Sequence, residues 1–191
     1  MYASEIKEVV GLGFVARFSQ NNALRPQLAV TREQLISLVW KSLKGIQGAN
    51  ITFPSNVSIR PLSDVDIFRW SAGKLLLARN NKIVSYYQDR TFKSTQPVTR
   101  AELMAVLPRA AEFGLSAGKQ PNLVVKEPSK TLTFSDTQNY WAASIITQLS
   151  AYCSVAAAIN EIGDRFAFDD SAKRNYAVVA TWRMLKCVKA Q

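Results

Sequence analysis

Val98-Thr99-Arg100-Ala101-Glu102-Leu103 decides the fold, because it reads as the start of a capped amphipathic helix and because it occurs more than once. In the pattern Thr-x-x-Glu/Gln ahead of an apolar run, the threonine hydroxyl accepts from the free amide three residues on. The third side chain reaches back to the threonine amide. Val30-Thr31-Arg32-Glu33-Gln34-Leu35 repeats the arrangement, with its arginine 68 residues before the later one. Behind each start, apolar residues recur at Leu35, Leu38, Val39 and Leu43, and at Leu103, Val106, Leu107 and Ala110. That is the stripe of a helix with one buried face. Gly45 and Gly114 are the expected helix ends.

Eight residues before each arginine stands an apolar anchor, Leu24 for Arg32 and Phe92 for Arg100. The same offset from Phe166 to Arg174 marks a third, divergent copy. There Lys173 and Tyr176 replace threonine and glutamate, and Asp169, Asp170 or Ser171 is expected to cap instead. Upstream, Leu62-Ser63-Asp64 with Trp70 matches Phe134-Ser135-Asp136 with Trp141. Each tryptophan is expected to open a helix of about 14 residues, roughly four turns. Counting 30 residues back from Arg32, the distance from Trp70 to Arg100, lands on Tyr2. The first copy thus lacks its Ser-Asp element, and the chain reads as an excised or processed piece.

The expected architecture is mainly α: helix-loop-helix repeats at 1–46, 61–114 and 132–191, with linkers at 47–60 and 115–131. The linkers carry Pro54, Pro121 and Pro128 and short β-favouring runs at 50–53 and 123–125. One such hairpin buries too little surface to be stable alone, so the three are expected to pack as a pseudo-threefold module with short loops or β-bridges.

Composition narrows the chemistry. Without histidine, the chain has no Ser/His/Asp or Cys/His set and no imidazole base or metal ligand. Two cysteines make no Cys₄ zinc site. The 24 Lys+Arg against 14 Asp+Glu give +10, which asks for an anionic partner. No apolar run approaches a membrane span, and the N-terminus lacks the regions of a signal peptide. Cys153 and Cys187 are expected on the two helices of the third copy, as buried thiols in a reducing compartment or a disulfide in an oxidising one, the thiols being the preferred reading.

The tetrapeptide at 99–102, its variant at 31–34, the spacing of Asp64 to Trp70 and the turn Tyr87-Gln88-Asp89-Arg90-Thr91-Phe92 resemble the S-layer homology domain over nearly the whole chain, as three tandem divergent copies. Asn21 stands in copy one where copy two has Asp89, and copy three has lost the threonine and glutamate. The resemblance implies a non-catalytic, cofactor-free envelope module of cyanobacterial or other Gram-negative type. Such a module binds an anionic, pyruvylated, peptidoglycan-linked polysaccharide in grooves between repeats, in the periplasm, cell wall or S-layer.

A guanidinium meets a ketal carboxylate through two parallel hydrogen bonds, and helix N-termini favour anions. Arg100 is therefore the first expected contact, with Arg32 second and Arg174 third. Trp70, Trp141 and Tyr2 are candidates to cover sugar faces, and Asp64 and Asp136 to accept sugar hydroxyls. Glu102 joins the ligand set. The plainer readings are surface ion pairs for the arginines, core packing for the tryptophans, helix caps for Asp64 and Asp136, and capping alone for Thr31, Gln34, Thr99 and Glu102. Against the anchor stand a scaffold binding another envelope protein and a nucleic-acid binder, disfavoured because the basic residues are spread along the chain. A glycosidase pairing Asp169 or Asp170 with Glu161 rises no higher than chance.

Overall fold

The computed structural model describes residues 2–11, 24–46, 48–117 and 131–189. Among them are six helices: α1 (Ala3–Gly11), α2 (Arg32–Leu43), α3 (Ala72–Asn80), α4 (Arg100–Ala117), α5 (Ala143–Ala151) and α6 (Arg174–Lys189). No regular strand occurs among the described residues, so the fold is mainly α. Asn21 and the run 123–125 lie outside the described residues. The run 50–53 is irregular.

Both capping boxes form. Thr31 Oγ1 accepts from Gln34 N at 3.4 Å while Gln34 Oε1 accepts from Thr31 N at 3.1 Å. Thr99 Oγ1 accepts from Glu102 N at 3.1 Å while Glu102 Oε2 accepts from Thr99 N at 3.0 Å. Gly45 lies just past α2, but α4 runs through Gly114. A Cβ on Gly114 would stand 2.6 Å from Ile46 Cδ1 and 2.8 Å from Leu43 Cδ2, so this glycine permits close packing against the end of α2. The helices after Trp70 and Trp141 span 9 residues each, shorter than expected.

The first two amides of α2, α4 and α6 are met by backbone. Arg32 N donates to Gln96 O (3.0 Å), Arg100 N to Asp170 O (2.9 Å) and Arg174 N to Leu28 O (2.9 Å). The next amides follow suit: Glu33 N to Ser94 O, Ala101 N to Phe168 O and Asn175 N to Pro26 O. In each case the acceptors stand four and six residues ahead of the arginine of another helix. The start of α6 is thus met by the 26–28 backbone, which replaces the side-chain cap expected from Asp169, Asp170 or Ser171. One turn earlier, Val30 N donates to Ala172 O, Ala172 N to Val98 O and Val98 N to Val30 O, closing a ring of three bonds at 2.8–3.0 Å. Isolated antiparallel bridges pair 29 with 173, 31 with 97 and 99 with 171.

Around this ring α6 packs on α1, α2 and α4, α2 packs on α3 and α4, and α4 packs on α5. Leu35, Leu38, Val39, Leu43, Leu103, Leu107, Ala110 and Val179 are all buried at the centre. Helix α1 is fastened to α6 by the Arg183 fork on Glu5 (2.8 and 2.7 Å) and by Trp182 Nε1 donating to Glu8 Oε2 (3.1 Å).

Cys153 and Cys187 form a disulfide, which replaces the preferred reading of two buried thiols. Cys187 lies in α6, but Cys153 sits beyond the end of α5 in a turn with φ 48°, followed by Ser154 at φ 54°. That turn carries it to within a Cα–Cα distance of 6.0 Å of its partner.

Burial raises the pKa of Tyr2, Tyr87, Tyr140, Tyr152 and Tyr176 above the ordinary 10.0, Tyr152 to about 12. The folded chain therefore keeps phenol protons that the unfolded chain gives up. Their contribution is intact below pH 10 and drains away as pH rises through 12 for Tyr152. Lys74, whose pKa burial lowers from 10.5, acts in the opposite sense as one group against five. We expect the urea midpoint to fall across this interval, with phenolate absorbance lagging that of free tyrosine. A flat midpoint would contradict the burial described.

Candidate functional site

Three side chains expected to bind ligand converge on one groove. Arg32, the first residue of α2, reaches toward the segment ahead of α4, where Nε donates to Phe92 O (2.7 Å) and Nη2 to Ser85 O (3.2 Å). Nη1 pairs with Glu102 Oε1 at 3.1 Å. The guanidinium lies near the rings of Tyr87 and Phe92, at 4.7 and 4.8 Å from their centroids. Glu102, besides closing its capping box, accepts the Tyr87 hydroxyl at 2.9 Å. Burial raises the Tyr87 pKa, and the Glu102 acceptor reinforces the neutral phenol.

Trp141, just ahead of α5, lines the same groove, a cavity of ≈250 Å³ floored by Leu35, Ile36 and Val98. Trp141 is 63% exposed and Trp70 57% exposed. Neither tryptophan is core, contrary to the plainer expectation. Ser63 and Asp64 bond to the turn at Arg90 and Phe92, Ser135 and Asp136 to the turn at Asp164 and Phe166, while Arg69 and Ser71 on either side of Trp70 point inward to the buried Glu33 at 2.7–2.8 Å. With its two neighbours held inside, Trp70 is turned out.

The other candidates lie elsewhere. Arg100 occupies the place in α4 that Arg32 has in α2, but is only 3% exposed. Its Nε donates to Phe166 O (2.6 Å) and Nη2 to Ala157 O (2.7 Å), and the cation lies 3.7 Å from the Tyr176 ring centroid. Tyr176 stands two residues after its helix's first arginine, as Glu102 does, so stacking replaces the ion pair. The adjoining cavity is small, ≈90 Å³, and shared with Tyr2, Asn160 and Lys173. Arg174 is 7% exposed, with Nη1 donating to Leu24 O at 3.4 Å. Burial, then the neighbouring Arg25, lowers its pKa.

Asp64 receives Phe92 N and Lys93 N, both at 2.7 Å, and Asp136 receives Phe166 N (2.8 Å) and Ala167 N (2.6 Å). Lys93 and Ala167 have φ of 56° and 57°. Each aspartate therefore holds a left-handed turn directly after an aromatic anchor, rather than capping α3 or α5. Trp70 opens a different cavity, ≈540 Å³, beside Phe68 and the loop 54–58. Asp169 accepts the Tyr140 hydroxyl (3.0 Å) and Glu161 the Tyr2 amide (2.8 Å), so these carboxylates belong to separate local networks.

Tyr87 and Arg109 are among the groove residues that no motif marked. Tyr87 opens the turn 87–92, whose sequence pattern alone assigns it no contact. Arg109 follows Glu102, Ala105 and Val106 at helical spacing on one face of α4, and that spacing was the available signal.

The S-layer homology domain family matches residues 1–36 of the chain. The middle cell wall protein of Brevibacillus brevis is 29% identical over 126 residues, which is 65% of this chain. The chain spans 12% of that relative's length.

Proposed function

We propose that the chain is a non-catalytic, cofactor-free anchoring module of three divergent S-layer homology repeats, holding a larger protein to the cell wall through a peptidoglycan-linked polysaccharide. The observation that carries this reading is the convergence of Arg32, Tyr87, Glu102 and Trp141, from four separate segments, on one open groove. An exposed indole offers a platform for the apolar face of a sugar ring, while Arg32 and Glu102 present donor and acceptor edges for hydroxyls and acetamido groups. In this reading Arg100 and Arg174, both tied to backbone carbonyls, serve the fold, as does Asp136, and Asp64 shapes the turn that brings Phe92 into the wall of the groove. The S-layer homology match and the similarity to a cell wall protein support the same role. The disulfide suits an oxidising envelope compartment. Pyruvylated sugars are the proposed ligand, their ketal carboxylate answering the net charge of +10.

Co-sedimentation with purified sacculi tests the proposal. Wild-type protein should pellet with sacculi that retain their polysaccharide and stay in solution with stripped sacculi. Trp141→Ala, at an exposed position, should weaken pelleting about tenfold while leaving the melting temperature unchanged. Equal pelleting by the variant, or by stripped sacculi, would remove the groove from the function.

A further inference from the structure

The groove beside Arg32 does not end at Ser85. Val84, Ser85, Tyr86 and Arg109 also line a second, adjoining cavity of ≈450 Å³, completed by Arg79 and Lys82. The two hollows therefore share one saddle, formed by the 84–86 backbone on one side and Arg109 on the other. Arg109 is fixed there by Nη1 donating to Ser85 Oγ at 2.7 Å, and Tyr86 is 57% exposed on the rim.

The charge is distributed unevenly between them. In the first hollow Arg32 is paired with Glu102, donates to two carbonyls and lies against two rings, so its charge is largely answered within the protein. In the second, Arg79, Lys82 and Arg109 are all exposed, and its lining contains no carboxylate. Arg79 donates to the Pro61 carbonyl at 2.9 Å, which positions its guanidinium without neutralising it. Among the described residues no ion pair involves any of the three. Three like charges around one hollow repel one another unless an anion enters it.

We infer that Arg79, Lys82 and Arg109 form an anion subsite that receives the negatively charged substituent of the bound glycan, a carboxylate or a phosphodiester, while the neighbouring sugar lies over the saddle toward Arg32 and Trp141. This rests on the anchoring reading and refines it: the charged substituent is read one step along the groove from the helix-initiating arginine. The bidentate edges of two guanidiniums and the point charge of one lysine suit an oxyanion with several acceptor oxygens. Because the three cations are exposed, their attraction weakens with ionic strength, whereas contacts at Trp141 do not.

The experiment compares the full chain with R79Q/K82Q/R109Q, all at exposed positions, in sacculus co-sedimentation across a salt series. Untreated sacculi are set against sacculi freed of ketal pyruvate by mild acid and sacculi freed of phosphodiesters by hydrofluoric acid. The triple variant should bind untreated sacculi about tenfold more weakly at low salt and lose most of the salt dependence, as expected when three exposed charge contacts are removed. Wild-type binding that falls to the variant's level after mild acid identifies the ketal carboxylate, and binding that survives mild acid but falls after hydrofluoric acid excludes it. In parallel, inorganic tripolyphosphate, titrated by calorimetry, should bind the wild type and not the triple variant. Binding and salt dependence equal to wild type in the triple variant overturn the subsite even where sacculus binding is strong. Tripolyphosphate binding through the trio without any sacculus binding keeps the anion site and removes the glycan reading.

Discussion

Arg100→Ala should cost about 4 kcal/mol of stability and leave little folded protein at elevated temperature. Two carbonyls, Phe166 O and Ala157 O, lose charged donors at 2.6 and 2.7 Å, and a buried acceptor left unpaired costs about 1–3 kcal/mol. The void beneath Tyr176 adds to that, because the guanidinium fills the space over a ring that is itself only 2% exposed. Arg100→Lys should recover only part of the loss, since an ammonium cannot reproduce the planar contact with both carbonyls and ring. Urea unfolding reads the effect directly. A change below about 1 kcal/mol, the scale of an ordinary exposed ion pair, would show that the residue is peripheral to the fold.

Breaking the disulfide is the second large effect. It closes a segment with a sequence separation of 34 residues, and in the chain-entropy description such a crosslink contributes about 4 kcal/mol by restricting the unfolded chain. Cys187→Ser, or reduction of the wild type, should lower the melting temperature accordingly. Damage should begin locally. Arg183 Nη1 donates to Ser154 O at 2.8 Å in the turn that the disulfide secures, and the same guanidinium holds Glu5 of α1. Hydrogen exchange should therefore rise in the 152–155 turn and in α1 before the central helices. Unchanged melting with reductant would contradict this, as would loss of protection at α4 ahead of α1.

Much of the fold was legible because its determinants are local. Thr-x-x-Glu/Gln specifies a cap regardless of what lies beyond it, so the starts of α2 and α4 follow from six residues of sequence each. The anchors at Leu24, Phe92 and Phe166 were visible as a recurring offset, although their carbonyls, rather than their side chains alone, receive the arginines. The site was less legible. Arg32 and Arg100 occupy equivalent sequence contexts, and only the partner two residues into the following helix, Glu102 against Tyr176, separates an arginine lining an open groove from one sealed under a ring. The aspartates are acceptors, as expected, but for amides of left-handed turns 28 to 31 residues away, which no local pattern announces. Helix α4 outran its expected end because Gly114 answers to the crowding of Leu43 and Ile46, a contact between distant segments.

The ring of backbone bonds joining residues 30, 98 and 172 has a temporal meaning. As the chain emerges during synthesis, the first link can form once residue 98 is available, but the other two wait for residue 172. A product that stops before residue 168 lacks both acceptors, Phe168 O and Asp170 O, that the first two amides of α4 require. The ring therefore closes only after the last of its three segments has been made, and it couples the starts of the three helices across long stretches of sequence.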